Sequence, residues 1–329
     1  MLLTTCTLRQ LPQALALGAN FAQYHPDLPV VIGLADDGSQ LPPAHTIPFP
    51  VITAADCLGD QLPALSAQYT PAEFAAACKP AFIRTAFERY PAVNQVLYAD
   101  PSIRIYQSLD TVFEKLTTHT LLITPHITQP LTDNFFPDEK YFQNTGLYST
   151  DFLAFRRSAE TDRLLTWWQD RVTTRAAIDY CAGLCLDQIW LMHALTFFEG
   201  VGVVKDPAWH VAVWNFHERW LTQEPQGWRV NGQSRLLFAN FKGLDDPDEG
   251  LFPYQNRFRL ANRPDVQPLL QQYRQYRQGQ LYSDLYRIPP AYGLQPEPVI
   301  VRGWRRHLVQ SIQKVNLFID SVPLPAIKR

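Results

Sequence analysis

Short, almost entirely apolar segments alternate with amphipathic ones through the first 125 residues. The apolar segments are residues 2–6, 28–37, 95–100 and 120–125. The segments with apolar side chains at helical spacing are residues 11–25, 79–91 and 108–116. A strand that is apolar along its whole length is buried on both faces, as strands are in parallel sheets covered by helices. The alternation therefore predicts an α/β fold in which a mixed, mostly parallel sheet has helices on both faces.

Proline and glycine set the predicted ends of two helices. Pro80 lies in the first turn of the predicted helix over residues 79–91, where proline is tolerated, and Lys79 then lies at the helix start. Residues 186–200 predict one strongly apolar helix that ends at Gly200.

Size, charge and cysteine content exclude several classes of protein. The 329 residues fit one large domain, or one domain with an extension. A net charge of −2 provides no field that would attract nucleic acid. The N-terminal segment lacks the basic start and long apolar run of a signal peptide, and the five scattered cysteines contain no CxxC pair. We therefore expect a cytoplasmic protein with reduced thiols and no nucleic-acid partner.

Polar residues follow several predicted strands at the point where each strand ends. In open α/β sheets, ligands bind beyond the carboxyl ends of the strands. No GxGxxG follows the first strand and no GxxxxGK[ST] occurs in the chain, so ordinary dinucleotide and P-loop phosphate sites are not predicted. The candidate ligand-binding residues at these strand ends are Asp36, Asp37, Asp100, Ser102, His126, Asn144 and Asp206.

Asp100 has the sharpest position among these candidates. The stretch VLYADPSIRI, residues 96–105, is apolar up to this carboxylate apart from Tyr98 and breaks at Pro101. A strand-terminal aspartate before proline commonly caps a turn, and spacing alone favours this interpretation. The alternative is a carboxylate at the sheet edge that holds a metal–diphosphate or a ribose hydroxyl.

Several segments follow one another along residues 1–260 in a recognisable order. They are LTTCTLRQLPQALALGANFAQYHPDLPVVIGLADD, AACKPAFIRTAFERY, VLYADPSIRI, NTGLYSTDFLAF, CLDQIWLMHAL, DPAWHVAVWNFHERWL and RLLFANFKGLDDP. In this order they resemble the GT-A glycosyltransferases, in particular glycosyltransferase family 8 and related bacterial enzymes of polysaccharide gene clusters. The resemblance implies a Rossmann-like GT-A fold and a nucleotide-diphosphate sugar, of UDP or GDP type, as donor.

Two positions depart from the family pattern. The family motif Asp-x-Asp reads Asp-Pro-Ser at residues 100–102, and the histidine that usually precedes F-x-G in the closing strand is Asn240. These positions normally supply ligands to a divalent metal, and a hydroxyl or a neutral amide binds Mn²⁺ or Mg²⁺ weakly. The resemblance thus leaves Asp100 as an implied metal ligand, with weak or absent metal dependence. Our hypothesis is that Lys79 and Lys242 supply part of the missing positive charge.

For the chemical step, the resemblance implies Asp187 and Gln188, the counterparts of a pair that lies beside the anomeric carbon and sugar hydroxyls in family 8 relatives. A carboxylate there can bind sugar hydroxyls or stabilise an oxocarbenium-like transition state. The pair favours a retaining outcome. The alternative is that Asp187 caps the helix that begins near residue 185 or 186.

Further residues are expected to contact donor or acceptor. His126 follows another predicted strand and is expected to line the acceptor side. His217 and Glu218 can contact phosphate or sugar, or transfer a proton; the alternative is a structural histidine packed between Trp214 and Trp220. The predicted nucleotide-sugar-binding residues are Asp36, Asp37, Lys79, Asp100, Ser102, Asn144, Gly146, His217, Glu218, Asn240 and Lys242.

Residues 261–329 predict a helical extension that packs on the domain formed by residues 1–260. Helices are expected near residues 265–279 and 302–318. The second of these combines basic residues with Trp304, Leu308 and Phe318. A basic amphipathic helix can lie on an anionic membrane surface, which would suit a lipid-linked acceptor, or it can pack on protein.

Two functions remain open from the sequence. The first is a glycosyltransferase that moves a sugar to a glycan, lipid-linked or protein acceptor, at the inner face of the membrane if the basic helix binds there. The second is a catalytically degenerate GT-A fold that binds a nucleotide or a glycan, which the Ser102 and Asn240 departures favour. A nicotinamide-dependent oxidoreductase is not predicted, because the glycine fingerprint is missing.

Overall fold

The computed structural model of the chain describes residues 1–278 and 284–322. Within them two units are distinguished, one in residues 1–296 and one that begins at Glu297. The strands are β1 (Leu2–Cys6), β2 (Val30–Leu34), β3 (Val51–Thr53), β4 (Gln95–Ala99), β5 (Ile103–Ile105), β6 (Leu121–Pro125), β7 (Tyr148–Arg156), β8 (Ile178–Asp179), β9 (Leu184–Cys185), β10 (Val201–Val203), β11 (Leu221–Glu224), β12 (Gly227–Val230), β13 (Ser234–Arg235) and β14 (Phe238–Asn240). The α-helices are α1 (Leu11–Tyr24), α2 (Ala54–Leu58), α3 (Leu62–Gln68), α4 (Pro71–Arg89), α5 (Asp110–Lys115), α6 (Glu139–Thr145), α7 (Ala159–Arg175), α8 (Ala194–Phe197), α9 (Val266–Gln278) and α10 (Trp304–Ser321).

The central sheet has seven strands in the order β10-β6-β7-β4-β1-β2-β3. Neighbouring strands are parallel except at β7, which runs antiparallel to both β4 and β6. The predicted mixed, mostly parallel sheet is therefore confirmed. Because β7 is reversed, its first residues lie beside the carboxyl ends of β4 and β6.

Helices cover both faces of this sheet, as predicted. On one face, side chains of α1, α5 and α9 share a core with β4 and with the segment that follows residue 204. On the other face, α4 and α7 pack on the sheet, and Phe82 and Trp168 are fully buried there. The sheet is thus closed to solvent on both faces, and polar chemistry is left to its edges and strand ends.

Helix α4 corrects one prediction. It begins at Pro71, not near residue 79, because Thr70 and Glu73 form a capping box and Pro71 occupies the first helical position. Pro80 lies inside the helix. Lys79 is therefore in mid-helix, and the argument that it lies at an anion-binding helix N-terminus does not hold.

The single apolar helix predicted over residues 186–200 is also wrong. The segment forms a 3₁₀ helix, Ile189–His193, followed by the one-turn helix α8. Leu186, at its start, has a backbone φ of 53°, which no regular helix accommodates. Leu191, Ala194 and Phe198 of this segment are buried in the core that α7 also lines, while Leu195 and Phe197 are exposed. The side chains of Asp187 and Gln188 turn towards β7.

A two-stranded and a three-stranded antiparallel sheet lie outside the central sheet. β5 follows β4 after a tight turn and pairs antiparallel with β14, with Ile103 opposite Asn240. β11, β12 and β13 form a separate antiparallel sheet. The pairing of β5 with β14 joins the residues after β4 to residues 238–240.

The second unit contains α10, which corresponds to the helix predicted near residues 302–318 and begins two residues later, at Trp304. The predicted helix over residues 265–279 corresponds to α9, and Gly279 lies outside the described residues. Among the helices that the structure describes, none has both the length and the apolarity that a membrane span requires.

Candidate active site

The turn after β4 gives Asp100 the turn-forming role considered from the sequence, together with an ion pair that the sequence did not predict. Its Oδ1 accepts a hydrogen bond from the amide of Ser102 at 3.0 Å, which is the expected turn-forming contact. Its Oδ2 lies 2.5 Å from the ammonium nitrogen of Lys242. One carboxylate thus closes the turn and also holds a cation at the carboxyl end of the sheet.

Asp151 faces the same ammonium from the reversed strand β7. Its Oδ1 lies 2.8 Å from Lys242 Nζ, and the amide of Asp100 donates to its carbonyl at 2.7 Å. Burial alone would lower the pKa of Lys242, but the two carboxylates outweigh it and raise that pKa well above its ordinary value. Burial alone would raise the pKa of Asp151, but Lys242 and then Lys79 outweigh it and lower that pKa below its ordinary value. Lys242 is therefore charged, and Asp151 is ionised, at neutral pH.

Asn240 ties this ion cluster to a buried histidine. Its Nδ2 donates to Asp151 Oδ2 at 2.8 Å and lies 3.2 Å from His210 Nε2. Its Oδ1 accepts from the Lys242 amide at 2.9 Å and lies 2.8 Å from Ser102 Oγ. Since Nδ2 is a donor, His210 Nε2 accepts, and its Nδ1 donates to Thr124 Oγ1 at 2.7 Å. Burial, and then nearby His126, hold the pKa of His210 well below its usual range, so this ring is neutral.

A second buried cluster forms around Thr150, the residue of β7 that precedes Asp151. Lys79 Nζ is 2.6 Å from Asp187 Oδ2 and donates to Thr150 Oγ1 at 3.0 Å. The pKa of Asp187 is raised by burial, although Lys79 opposes this effect. Trp168 Nε1 donates to the Asp187 carbonyl at 3.0 Å, which holds the segment against α7. Thr150 and Asp151, adjacent in the chain, thus each anchor one lysine–aspartate cluster.

Gln188 and Gly146 are in direct contact. The Gln188 side chain donates to the carbonyl of Thr145 at 2.7 Å. Gly146 ends α6 with a backbone φ of 109°, and a Cβ there would lie 2.8 Å from Gln188 Cγ. Glycine is required at this position both for its conformation and for the close approach. Asn144 lies in α6 with its side chain exposed.

His126 is a buried ring in an aromatic cage. It stacks on Phe142 at a centroid distance of 5.3 Å and meets the edges of Trp214 and Phe252. Burial lowers the pKa of this ring to about 4. Its Nδ1 has no hydrogen-bond partner among the residues that the structure describes.

His217 and Glu218 have different surroundings. Neither ring nitrogen of His217 has a partner within residues 1–278 and 284–322, and burial lowers its pKa. The Glu218 carboxylate accepts hydrogen bonds from the amide and hydroxyl of Thr128 and from the amide of Gln129. Glu218 thus holds the loop after β6, while both ring nitrogens of His217 are buried and have no hydrogen-bond partner in the described residues.

Asp36 and Asp37 are occupied by the protein's own backbone. Asp36 is 2% exposed and accepts hydrogen bonds from the amides of Leu8, Asp37 and Ala291. Asp37 caps a short 3₁₀ turn through the amide of Ser39. The structure therefore uses Asp36 to join the end of β1 to the chain near residue 291, and it leaves this pair outside the Asp100 cluster's hydrogen-bond network.

No family model matches the chain. The uncharacterized protein YfnF of Bacillus subtilis (strain 168) is 22% identical over 237 residues, which are 71% of this chain and 78% of that protein. The galactosyltransferase LgtC, in its complex with donor and acceptor sugar analogues, is similar at a TM-score of 0.45 and 13% identity, over 85% of this chain and 95% of that one. The glycosyltransferase GlyE of Streptococcus pneumoniae TIGR4 is similar at a TM-score of 0.46 and 12% identity, over 100% of this chain and 65% of that one. These similar solved structures are glycosyltransferases.

The residues at the Asp100 position do not fit the divalent metal that the sequence resemblance implies. No group of three or more histidine, cysteine, aspartate or glutamate side chains is placed to hold a metal ion in the described part of the chain. The hydroxyl of Ser102 donates to Asp100, and the amide of Asn240 donates to Asp151. The ammonium of Lys242 lies between the two carboxylates. Divalent cations are bound by oxygen-rich sites of net negative charge, which this lysine opposes.

Asp151 and His210 are the members of the site that sequence reasoning missed. Asp151 lies in the quoted segment NTGLYSTDFLAF, one position from the residue paired with Ala99. A correct prediction that β7 is antiparallel would have placed it opposite Asp100. His210 follows Trp209 in an irregular segment, and no spacing rule identifies it.

Proposed function

We propose that the chain is a glycosyltransferase that uses a nucleotide-diphosphate sugar as donor. The observation that carries the proposal is the convergence of four sequence segments on one strand end. The turn after β4, the start of β7, the Asp-Gln segment and the closing strand β14 are joined there by ion pairs and hydrogen bonds. Ligands of open α/β sheets bind at such carboxyl ends.

The transfer breaks the bond between the anomeric carbon and a phosphate oxygen, which leaves with the electron pair. It forms a bond from that carbon to an acceptor hydroxyl oxygen, whose proton passes to the leaving diphosphate. Negative charge develops on the leaving diphosphate, so a fixed cation nearby lowers the barrier. The Lys242 side chain is 18% exposed, whereas Lys79 is buried against Asp187. We assign the cationic role to Lys242 rather than to Lys79.

Asp187 and Gln188 stay proposed as the residues of the chemical step, on the sequence resemblance. Asp187 is 1% exposed and Gln188 is 4% exposed, and both are engaged by neighbouring residues. Contact with a sugar therefore requires the donor to displace Thr150 or Thr145 as a partner. His217, with two ring nitrogens that have no partner in the described residues, is proposed to contact donor phosphate or sugar.

The second candidate function, a nucleotide- or glycan-binding protein without turnover, is favoured by one observation. The cluster contains two carboxylates, of Asp100 and Asp151, and one ammonium, of Lys242, so it carries a net charge of −1. A net negative cluster repels a diphosphate. The two candidates therefore differ in whether the remaining charge prevents a productive donor complex.

Release of nucleoside diphosphate separates the two functions. The purified protein would be incubated with UDP-, GDP-, CDP- and dTDP-sugars, and the diphosphate released would be measured beside an Asp187→Asn control. Turnover of a sugar nucleotide that the control lacks supports the transferase. Calorimetric binding of a nucleotide or glycan with no turnover supports the second function. If the protein shows no binding and no turnover, both functions are contradicted.

The acceptor and its setting are proposed more broadly. A glycan, a lipid-linked glycan or a protein is the acceptor class, with His126 on the acceptor side. We propose that α10 contacts the cytoplasmic face of a membrane, where a lipid-linked acceptor would be presented. The apolar residues Trp304, Leu308, Ile312, Val315 and Ile319 recur at helical spacing on α10, and Arg305 and Lys314 add positive charge.

A further inference from the structure

We propose that the Lys242 ammonium is a built-in cation that occupies the place of a divalent metal between Asp100 and Asp151. This inference deepens the proposed function, because it concerns the charge that would meet the donor diphosphate. The site itself is defined by contacts within the chain and can be tested without a nucleotide.

The geometry is that of a shared cation. Lys242 Nζ lies 2.5 Å from Asp100 Oδ2 and 2.8 Å from Asp151 Oδ1. The side chains of Lys242, Asp100 and Asp151 are 18%, 13% and 16% exposed, so solvent screens these charges little. Two carboxylates so close together and so shielded repel each other unless a cation lies between them.

The path of the lysine side chain is built into the fold. The backbone amide of Lys242 donates to Asn240 Oδ1, and this bond turns the chain directly after β14. Gly250 lies against the lysine stem, since a Cβ there would be 3.0 Å from Lys242 Cγ and 3.1 Å from Cδ. The stem is thereby packed between the turn and Gly250, with its charged end directed at the two carboxylates.

The ammonium and a divalent ion exclude each other at this position. Mn²⁺ or Mg²⁺ would need the same two carboxylate oxygens at a bond length of roughly 2.0–2.2 Å, well inside the space that Nζ occupies. Charge repulsion adds to the steric conflict. Ser102 and Asn240 agree with this account, because a hydroxyl and an amide satisfy an ammonium–carboxylate network but are weak metal ligands.

One donor of the ammonium remains for a ligand. An ammonium has three N–H donors, and in the described residues Lys242 Nζ uses two of them, on Asp100 and Asp151. The third N–H can donate to a phosphate oxygen. Under the proposed function, donor binding would then be insensitive to chelators, and added Mn²⁺ would not strengthen it.

Titration with Mn²⁺, followed by the electron paramagnetic resonance signal of the free ion, tests the inference directly. We expect no binding at this site in the wild-type protein. Lys242→Ala removes the ammonium and leaves both carboxylates, so it should bind one equivalent of Mn²⁺ with an affinity at least about tenfold above the weakest binding that the titration detects. The double variant Lys242→Ala/Asp151→Asn should lose that gain. Lys115→Ala, which removes an exposed lysine on α5, is the matched control and should behave as the wild type.

Two results would overturn the inference. One is stoichiometric Mn²⁺ binding by the wild type that Asp100→Asn abolishes. The other is a folded Lys242→Ala protein that gains no Mn²⁺ affinity. If Lys242→Ala does not fold, as judged by circular dichroism, Lys242→Gln replaces it with the same expectation, since its amide oxygen is compatible with a bound cation. Because the titration uses no nucleotide, its outcome is independent of whether the protein turns over a sugar nucleotide.

Discussion

The backbone amide of Asp100 donates a 2.7 Å hydrogen bond to the carbonyl of Asp151, at the end of the antiparallel pair formed by β4 and β7. This bond fixes the two aspartates side by side at the carboxyl edge of an otherwise parallel sheet. Their carboxylates then converge on one cation, Lys242, which lies two residues after β14. The reversal of a single strand thus creates the charge cluster on which the proposed function rests.

Gly146→Ala is expected to destabilise the protein and to disturb the Asp-Gln segment. The new Cβ would lie 2.8 Å from Gln188 Cγ and 3.1 Å from the Gln188 carbonyl oxygen, at a φ of 109°. We expect a loss of about 2–4 kcal/mol in the free energy of unfolding, from strain and steric overlap together. Urea denaturation followed by circular dichroism measures the loss.

Gly183→Ala is the control for that prediction. Gly183 also has a positive φ, 70°, but nothing lies within 4 Å of its added Cβ. Its substitution should cost only the conformational strain, about 1 kcal/mol. Equal losses in the two variants would show that the contact between Gly146 and Gln188 contributes nothing.

Removal of one partner of the Lys79–Asp187 pair should be more harmful than removal of both charges. Asp187→Asn leaves the Lys79 ammonium buried without a carboxylate, and we expect a loss of about 3 kcal/mol in the free energy of unfolding. Adding Lys79→Met removes the unpaired charge and should restore part of that stability. A double-mutant cycle in urea measures the coupling. A double variant no more stable than Asp187→Asn would argue against a buried ion pair.

The architecture could be predicted from the sequence because its signals are local. Continuous apolar runs identify buried strands, and β1 was predicted over the residues that form it, 2–6. The local signal gave a wrong helix start where proline occurs both in the first turn and in the interior of one helix. The sequence predicts Pro80 in the first turn of a helix, but α4 begins earlier, at Pro71, after a capping box. Lys79 therefore lies in the middle of the helix.

The site was harder to predict because its members come together only through strand pairing. Asp100 could be singled out as a strand-terminal acid, and Lys242 as a cation near Asn240. Asp151 joins them because β7 is antiparallel, and the residues around it carry no signal of strand direction. His210 lies in an irregular segment and enters the cluster only through Asn240.

Protonation of His126 should make the protein less stable in mild acid. Burial lowers the pKa of this ring in the folded state to about 4, below its ordinary value of 6.5. The folded state therefore binds fewer protons than the unfolded state between these pH values, and stability contributed by the neutral ring is lost as pH falls from about 6.5 towards 4. The full effect is up to about 3 kcal/mol. His126→Phe, which keeps an aromatic ring against Phe142, should flatten the dependence of the unfolding free energy on pH.

The comparison between wild type and variant isolates this group, because other titrating residues are common to both proteins. Urea denaturation at pH 5.0 and at pH 7.0 gives the change in unfolding free energy between these pH values for each protein. A His126→Phe protein that loses as much stability between these pH values as the wild type would show that His126 is not the responsible group.

Binding of α10 to anionic lipid should depend on both of its chemical features. Trp304, Ile312 and Val315 belong to its apolar stripe, and Arg305 and Lys314 carry positive charge. We expect the protein to sediment with phosphatidylglycerol vesicles and much less with phosphatidylcholine vesicles, since each basic residue contributes about 1 kcal/mol at an anionic surface. Arg305→Glu/Lys314→Glu should abolish the preference for anionic lipid, and Ile312→Ser/Val315→Ser should weaken binding even at low salt, because the apolar contribution is lost. Equal sedimentation of wild type and both variants would show that α10 does not bind the lipid.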